Sequence, residues 1–572
     1  MKRIGTLLKT CLVVAAIAAL AVLSGVPLYA ANSEVADAVM QGKKEVVRTL
    51  LQKGADINLP QVDGTTALHW AVRADDLEMA DMLLRAGAKA SATNRDGATP
   101  MQLAALNGSA AMIGRLLKAG VAADAPLSSS GDTALMLAAR TGKPDAVKLL
   151  LDNGAKIDAR ESWGDTTALM WAVAEGNHAV VRMLIDRGAG VNLRSKFVPS
   201  ATGRGFEGAT PVAARANQAA EENASGSLTP LMFAAREGDL ESARMLVGAG
   251  ADINARGGDG KDALGLSIFN GGYDVASYLI DNHANVNQPD AQRFTPLFWA
   301  VDRRNMETAP NFPWVVTTDP LPLIQKLLDA GADVNFLVNN TPRARMRDGS
   351  PRIVFATALM RAAFSGDIEL VKLLLAHGAN TKLISKDSET VLMAACGTGF
   401  IPGYSKGRTA AERLEVVKLL IDLGQDVNAA DDYGITALMV AANIGDVPII
   451  QYLIDKGADL GAYDLGKKND GAFGSSIEPL MPIDYAIGIG TFRPNNAIVF
   501  NEEAYKLMSR VMKERGIKHT TSECTLRGFT CSIANVDPKT ATPAQIQVMR
   551  RIQTGYQVDG VTGGLGNKED KK

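Results

Sequence analysis

The chain has 572 residues, 47% of them hydrophobic and 21% charged, with a mean hydropathy of +0.02. This balance excludes both a disordered polymer and a polytopic membrane protein. Sixty Lys and Arg against 62 Asp and Glu give a net charge of −2, so no overall basic excess argues for nucleic acid. Four cysteines are too few for a disulfide-built scaffold, and five histidines leave little material for a metal enzyme.

The first thirty residues read as a secretory signal peptide. Lys2, Arg3 and Lys9 form a positive start, Cys11 to Val26 is almost wholly apolar or small, and Leu28-Tyr29-Ala30 offers a small residue for cleavage. The apolar run is short of the roughly 20 residues that a spanning helix needs. An uncleaved anchor is the competing reading. Cys11 follows Leu8-Lys9-Thr10, which does not resemble a lipoprotein acylation site. Removal of residues 1–30 leaves 57 basic and 62 acidic residues, a net charge of −5. No second apolar run approaches spanning length. The expectation is a soluble exported protein, periplasmic first and extracellular second, in a compartment that permits disulfides.

The remainder repeats. A phrase recurs as GADIN at Gly54, GAKAS at Gly87, GVAAD at Gly120, GAKID at Gly154 and GAGVN at Gly188. It returns at Gly250, His283, Gly331, Gly378, Gly424 and Gly457, with a basic spacing of 33 residues and longer gaps where residues are inserted. A second phrase lies between these anchors: TALHWA from Thr66, TPMQLA from Thr99, TALMLA from Thr133, TALMWA from Thr167 and TPLMFA from Thr229. Further copies start at Thr295, Thr357, Thr390 and Thr436. The two phrases in phase resemble the ankyrin repeat, whose pattern is T-P-L-H-x-A at a period of 33. The resemblance runs from about Ser33 to Gly516 and implies an all-α solenoid of eleven to twelve helix-turn-helix repeats. It also implies finger hairpins beside a concave surface.

Each repeat has its own physical logic. Thr caps a short helix, Pro suits its first position, and Leu and Ala mark the buried stripe. A second helix such as Glu415–Asp422 ends near a glycine suited to left-handed geometry, as at Gly424. Neither helix can bury its stripe alone, so stacked neighbours supply the core. The family histidine survives only as His69. Met136, Met170, Met232, Met360, Met393 and Met439 replace it, with Gln102 and Phe298 elsewhere, which predicts flexible packing in place of a polar stitch. A soft-metal site is the competing reading of that methionine row. Ser33–Asp37 opens a terminal repeat, and Pro479-Leu480-Met481-Pro482-Ile483 begins a degenerate last one that closes at Gly516. Residues 517–572 leave the pattern.

Five gaps exceed the period. Inserts near 193–227, 336–356 and 461–477 fall where the resemblance places fingers, and those near 304–320 and 399–411 fall between the two helices of a repeat. Long surface loops carry function more often than scaffold does, with drift as the alternative. The 336–356 insert carries Arg343, Arg345, Arg347 and Arg352 against Asp348. Arginine forks pair with carboxylates, so these four residues are candidates for contacting an acidic partner protein. A solvated loop paired with nearby acids is the alternative. Trp70, Trp171, Phe233 and Trp299 share one repeat position, read as packing between helix and finger.

Catalytic signatures are missing. Gly203–Gly208 matches G-x-G-x-x-G but lacks the surrounding βαβ pattern that a phosphate cradle needs. No H-E-x-x-H or C-x-x-C occurs, Gly403-Tyr404-Ser405-Lys406-Gly407 fits the bare G-x-S-x-G spacing but lies inside an insert without the strand-to-helix context of a nucleophile elbow, and Cys396 reads as a small core residue. Cys524 and Cys531, with six residues between them in an exported tail, are candidates for a local disulfide, with free thiols as the alternative. The expected function is a non-catalytic protein-binding scaffold without cofactor, metal, nucleic acid or membrane span. An enzyme site built from inserts and tail, and a cell-wall polysaccharide binder with exposed groove aromatics, are the rival readings.

Overall fold

Threonine hydroxyls open the first helices and left-handed glycines close the second ones, and this punctuation sets the architecture. The computed structural model describes residues 33–125, 127, 131–199, 224–305, 318–338, 357–385, 387–397, 409–465, 479–487 and 500–520. These hold twenty-four helices in twelve pairs. The chain forms two compact units, Met1–Lys196 with Arg244–Ala251, and Phe197–Ala243 with Asp252–Lys572.

The first five pairs are α1 (Glu34–Met40) with α2 (Lys44–Gln52), α3 (Ala67–Arg73) with α4 (Leu77–Arg85), and α5 (Pro100–Asn107) with α6 (Ala110–Lys118). Then come α7 (Ala134–Thr141) with α8 (Pro144–Asp152) and α9 (Ala168–Ala174) with α10 (His178–Asp186). A two-residue antiparallel ribbon follows, β1 (Phe197–Val198) on β2 (Ser225–Gly226), in the register Phe197 to Gly226 and Val198 to Ser225.

The later pairs are α11 (Pro230–Glu237) with α12 (Leu240–Gly248), α13 (Ala263–Asn270) with α14 (Tyr273–Asp281), and α15 (Pro296–Arg304) with α16 (Leu321–Asp329). Next are α17 (Ala358–Phe364) with α18 (Ile368–Ala376) and α19 (Val391–Ala395) with α20 (Ala410–Asp422). The last are α21 (Ala437–Ile444) with α22 (Val447–Asp455) and α23 (Pro482–Ile487) with α24 (Glu502–Glu514).

The caps work as the phrases predict. Thr99 Oγ1 accepts from Gln102 N at 3.1 Å and Thr133 Oγ1 from Met136 N at 3.3 Å. Each such cap is worth about 1 kcal/mol. Second helices start on Asp76, Ser109, Asp367 and Asp446, whose side chains accept the equivalent amide. All eleven anchor positions have positive φ, from +66° at His283 to +91° at Gly87 and Gly457. An added Cβ at Gly87 meets nothing within 4 Å, so only the backbone conformation demands glycine there.

The stripes meet as stacked layers. In the first unit, α1, α3, α5, α7 and α9 pack in succession; in the second, α11 through α23 do the same with every first helix. The fixed alanines (Ala71, Ala104, Ala138 and Ala172; Ala234, Ala300, Ala362 and Ala441) are at most 1% exposed, which lets neighbouring first helices approach closely. Leu68, Leu135, Leu231 and Leu438 fill the space beside them, each worth about 1.5–3 kcal/mol of burial.

The inserts leave this stack at two kinds of place. Residues 200–223, 339–356 and 466–478 lie between one pair and the next, and 306–317 and 398–408 lie between the two helices of a pair. A further segment, 488–499, separates α23 from α24, and the sequence pattern had not marked it. All six fall outside the described residues.

Candidate binding surface

Four residues after the capping Thr, several repeats place an aromatic side chain between the helix and the adjoining finger. Trp70 Nε1 donates to Gln61 Oε1 at 2.8 Å, Trp171 Nε1 to Thr166 Oγ1 at 2.7 Å, and Trp299 Nε1 to Asp290 Oδ2 at 3.0 Å. Tyr485, at the same position of the last pair, donates to Asp464 Oδ2 at 2.6 Å. The aromatics therefore anchor fingers to helices, the packing role read from sequence. Trp299 is buried against Phe269 and Phe294, both with ring centroids 5.0 Å away. Trp70 and Trp171 stay half-buried, and each carries an exposed guanidinium: Arg73 lies 5.5 Å from the Trp70 ring and Arg140 lies 5.4 Å from Trp171. Arg236 covers Phe233 in the same manner at 4.7 Å.

Fingers are joined to each other through the backbone. Arg95 N donates to Asp63 O, Gly258 N to Gly226 O, Ala291 N to Asp259 O, and Leu465 N to Tyr433 O, at 2.7–3.0 Å. The Asn ending many anchor phrases adds a second tie. Asn58 accepts from Lys89 N at 2.8 Å and donates to Gly87 O at 3.1 Å; Asn335 and Asn428 repeat this toward Asn380 with Gly378 and Asp459 with Gly457. The last finger keeps its base despite the insert. Asp464 N donates to Leu480 O and Leu480 N to Asp464 Oδ1, as Asp431 and Ile435 do in the uninterrupted finger before it.

At the turns between helices of a pair, charge is buried in matched pairs. Arg361 occupies the aromatic position of α17 yet has no exposure. Its Nε donates to Asp302 Oδ1 at 2.7 Å and its other nitrogens to Ser365 Oγ and Asn305 O. Arg304 meets Asp367 and Glu369, each at 2.7 Å, and also Asp319. Arg413 meets Asp446 at 2.6 Å. Asp367 and Asp446 each use one oxygen for a helix cap and the other for this arginine. These groups hold adjacent repeats in register at the bases of the 306–317 and 398–408 segments.

Several carboxyls lie far from their ordinary range. Glu389 is pushed up to about 8 by burial, with Asp431 and Asp387 adding repulsion. Asp431 and Asp262 are each raised to about 6, mainly by burial. Burial also pushes the Cys396 thiol up, so this 1% exposed side chain is an inert core residue as expected.

The histidines do separate structural work. His69 Nδ1 is 2.8 Å from Thr66 Oγ1 and its Nε2 is 3.0 Å from Ala98 O, stitching one pair to the next finger. Burial holds its pKa down. His178 starts α10, His377 Nε2 is 3.3 Å from Asp329 Oδ1, and His519 Nε2 is 2.7 Å from Asp484 Oδ1. The methionine row departs partly from expectation. The six methionines are at most 1% exposed, but Met232 and Met393 still accept the Thr229 and Thr390 amides through sulfur at 3.5 Å. Among the described residues no group of His, Cys, Asp or Glu is placed to hold a metal ion. No helix there is long and apolar enough to cross a membrane.

Arg343, Arg345, Arg347 and Arg352, and both Cys524 and Cys531, lie outside the described residues, as do Gly203–Gly208 and residues 1–30. Sequence reasoning passed over the Asn ties, the buried Arg361–Asp302 pair and the His519–Asp484 pair. The Asn had a visible signal in its recurrence; the charged pairs join residues tens of positions apart and had none.

Comparison with known proteins places these features. A family model described as ankyrin repeats (3 copies) matches residues 35–127, 75–161, 113–195, 231–310 and 315–404, and one described as ankyrin repeats (many copies) matches 408–454. An ankyrin repeat, SAM and basic leucine zipper domain-containing protein 1 from Dasypus novemcinctus is 31% identical over 148 residues, 26% of this chain and 26% of that protein. An ankyrin repeat and KH domain-containing protein, mask-1 from Caenorhabditis elegans, is 27% identical over 229 residues, 40% of this chain and 7% of its own length. The chain thus spans about a quarter or less of these two relatives. Among solved structures, the human ASB11 ankyrin repeat domain matches at 26% identity and a TM-score of 0.33, covering 41% of this chain and 92% of that one. The Bcl-3 ankyrin repeat domain matches at the same identity and TM-score, covering 41% and 93%.

Proposed function

Because the chain belongs to the ankyrin-repeat family, we propose that it is a non-catalytic scaffold that binds another protein outside the cytoplasm. Repeats of this kind are protein-binding scaffolds, and stacked arrays offer extended surfaces for the purpose. The observation that carries the non-catalytic reading is how the polar groups are employed. His69, Trp70, Trp171, Trp299 and Asp446 are each committed to caps, fingers or ties between repeats. Export rests on the amino-terminal segment of residues 1–30.

Contact with the partner would come from the first-helix face and the finger inserts. The four arginines from Arg343 to Arg352 select for an acidic partner, since their forks pair with carboxylates. Crosslinking in intact cells of the source organism, followed by mass spectrometry, tests this. A protein should be recovered from the periplasmic or extracellular fraction with crosslinks to first helices or fingers. Replacing all four arginines by alanine should reduce its recovery several-fold, and unchanged recovery would remove them from the interface. A Cys524–Cys531 bridge belongs to the same reading, and two alkylatable thiols at these positions without reduction would exclude it.

A further inference from the structure

The last pair ends differently from the eleven before it. Gly516, at φ +69°, closes α24 as the anchor glycines close theirs, and Ile517 N donates to Met512 O in the pattern of Ala458 N to Leu453 O. Gly516-Ile517-Lys518-His519-Thr520 is therefore a twelfth copy of the anchor phrase. His519 stands where Ile57, Val334 and Leu460 stand, and those three are at most 7% exposed. In register, Met481-Pro482-Ile483-Asp484-Tyr485-Ala486 is the last copy of the Thr phrase. Asp484 takes the place of His69 and of the fully buried Met439. In the same repeat, a position that is most often Met has thus become an acid and one that is most often aliphatic has become a base.

The two side chains meet. Asp484 is fully buried; Oδ2 accepts Met481 N at 2.8 Å and Oδ1 lies 2.7 Å from His519 Nε2. Beside them Thr520 Oγ1 lies 2.6 Å from Tyr463 Oη and donates to Met481 Sδ at 3.5 Å. His69 reaches forward to a carbonyl of the next finger, whereas no further pair follows α23 and α24 among the described residues. The chain's own return segment supplies the missing partner with donor and acceptor exchanged.

We infer that residues 517–520 form a terminal clip, closed by the Asp484–His519 pair, that tightens when His519 is protonated and loosens as it becomes neutral. A protonated imidazole faces a buried carboxylate as an ion pair, whereas a neutral one keeps only the hydrogen bond. The stabilisation is full at acid pH and declines as pH rises through the titration of the paired histidine. Among the described residues, the other titratable or charged groups around the clip are Tyr463 and Asp464 on the finger, Tyr485 on α23, and Lys518 in the segment itself. Tyr485 is held well above its ordinary range by burial and stays neutral throughout. Asp431, one finger back, also titrates near 6 and weakens the finger edge in the same direction, so its effect has to be separated.

Hydrogen exchange of the full-length chain at pH 5.5 and 8.0, corrected for intrinsic rates, makes the separation. Amides of α23 and its entry should be about three- to tenfold better protected at pH 5.5. His519→Gln should remove that part of the difference, leaving whatever Asp431 contributes, and His519→Lys should keep the higher protection at pH 8.0. A pH difference that is the same in H519Q as in the unmodified chain would overturn the clip, as would equal protection at both pH values.

Discussion

Replacing Asp262 by threonine restores the residue that other repeats use to cap their first helix, and the structure specifies how the benefit depends on pH. Asp262 is 2% exposed, and its Oδ1 accepts Gly265 N at 2.7 Å while Oδ2 has no hydrogen-bond partner among the described residues. Burial raises its pKa from 3.8 to about 6, against the opposing pull of the cap amides and Arg256. The folded chain therefore holds this proton more tightly than the unfolded chain does. Stability is greatest below the unfolded value near 4, falls as pH rises toward 6, and stays low above it. That rise corresponds to about 3 kcal/mol. Threonine keeps the cap and carries no charge, so D262T should gain about 2–3 kcal/mol more at pH 8 than at pH 4. Long arrays need not unfold in one step, so local exchange of α13 and α14 amides in the full chain is a suitable measurement. Equal gains at pH 4 and pH 8 would refute the assignment of an ionised, poorly solvated carboxylate to this cap.

Other perturbations test the packing and the punctuation. Arg361→Leu strands Asp302 without its cation and should cost about 3–5 kcal/mol; the double variant with Asp302→Leu should recover most of it, and denaturant curves showing additive losses would contradict the pairing. Leu83→Ala, at a fully buried position of α4, should lose about 2–5 kcal/mol in the same assay. Gly87→Ala should lower stability by about 1 kcal/mol through its φ of +91° alone, while His283→Gly, at φ +66°, should raise it by a similar amount; thermal melts of both variants would show opposite shifts.

The periodic parts of this fold were legible because each repeat restates the same local physics. Thr caps, buried Leu and Ala, and left-handed glycines are properties of neighbouring residues, so eleven anchors and nine Thr phrases located nearly every pair. Asp262 was missed as a cap because an acid replaces the hydroxyl while the stripe behind it persists. The candidate surface was legible in part. Trp70, Trp171 and Trp299 were correctly read as packing, and their hydrogen bonds to finger residues explain why that position favours a ring with a polar edge. Arg361 was opaque: an arginine at this position reads as exposed until its partners, Asp302 and Asn305, are brought in from the preceding pair.

The closed base of the last finger bears on how such a chain changes over time. Asp464 and Leu480 make the same mutual bonds that Asp431 and Ile435 make, although a dozen or so additional residues separate the former two. Loop length is thereby uncoupled from the helices behind it, because the entropic cost of a longer loop grows only slowly. Material can be gained, lost or exchanged at that tip without renegotiating the core, which makes it a natural port for grafting a foreign epitope and a place where descendants can acquire new specificities while inheriting an unaltered frame.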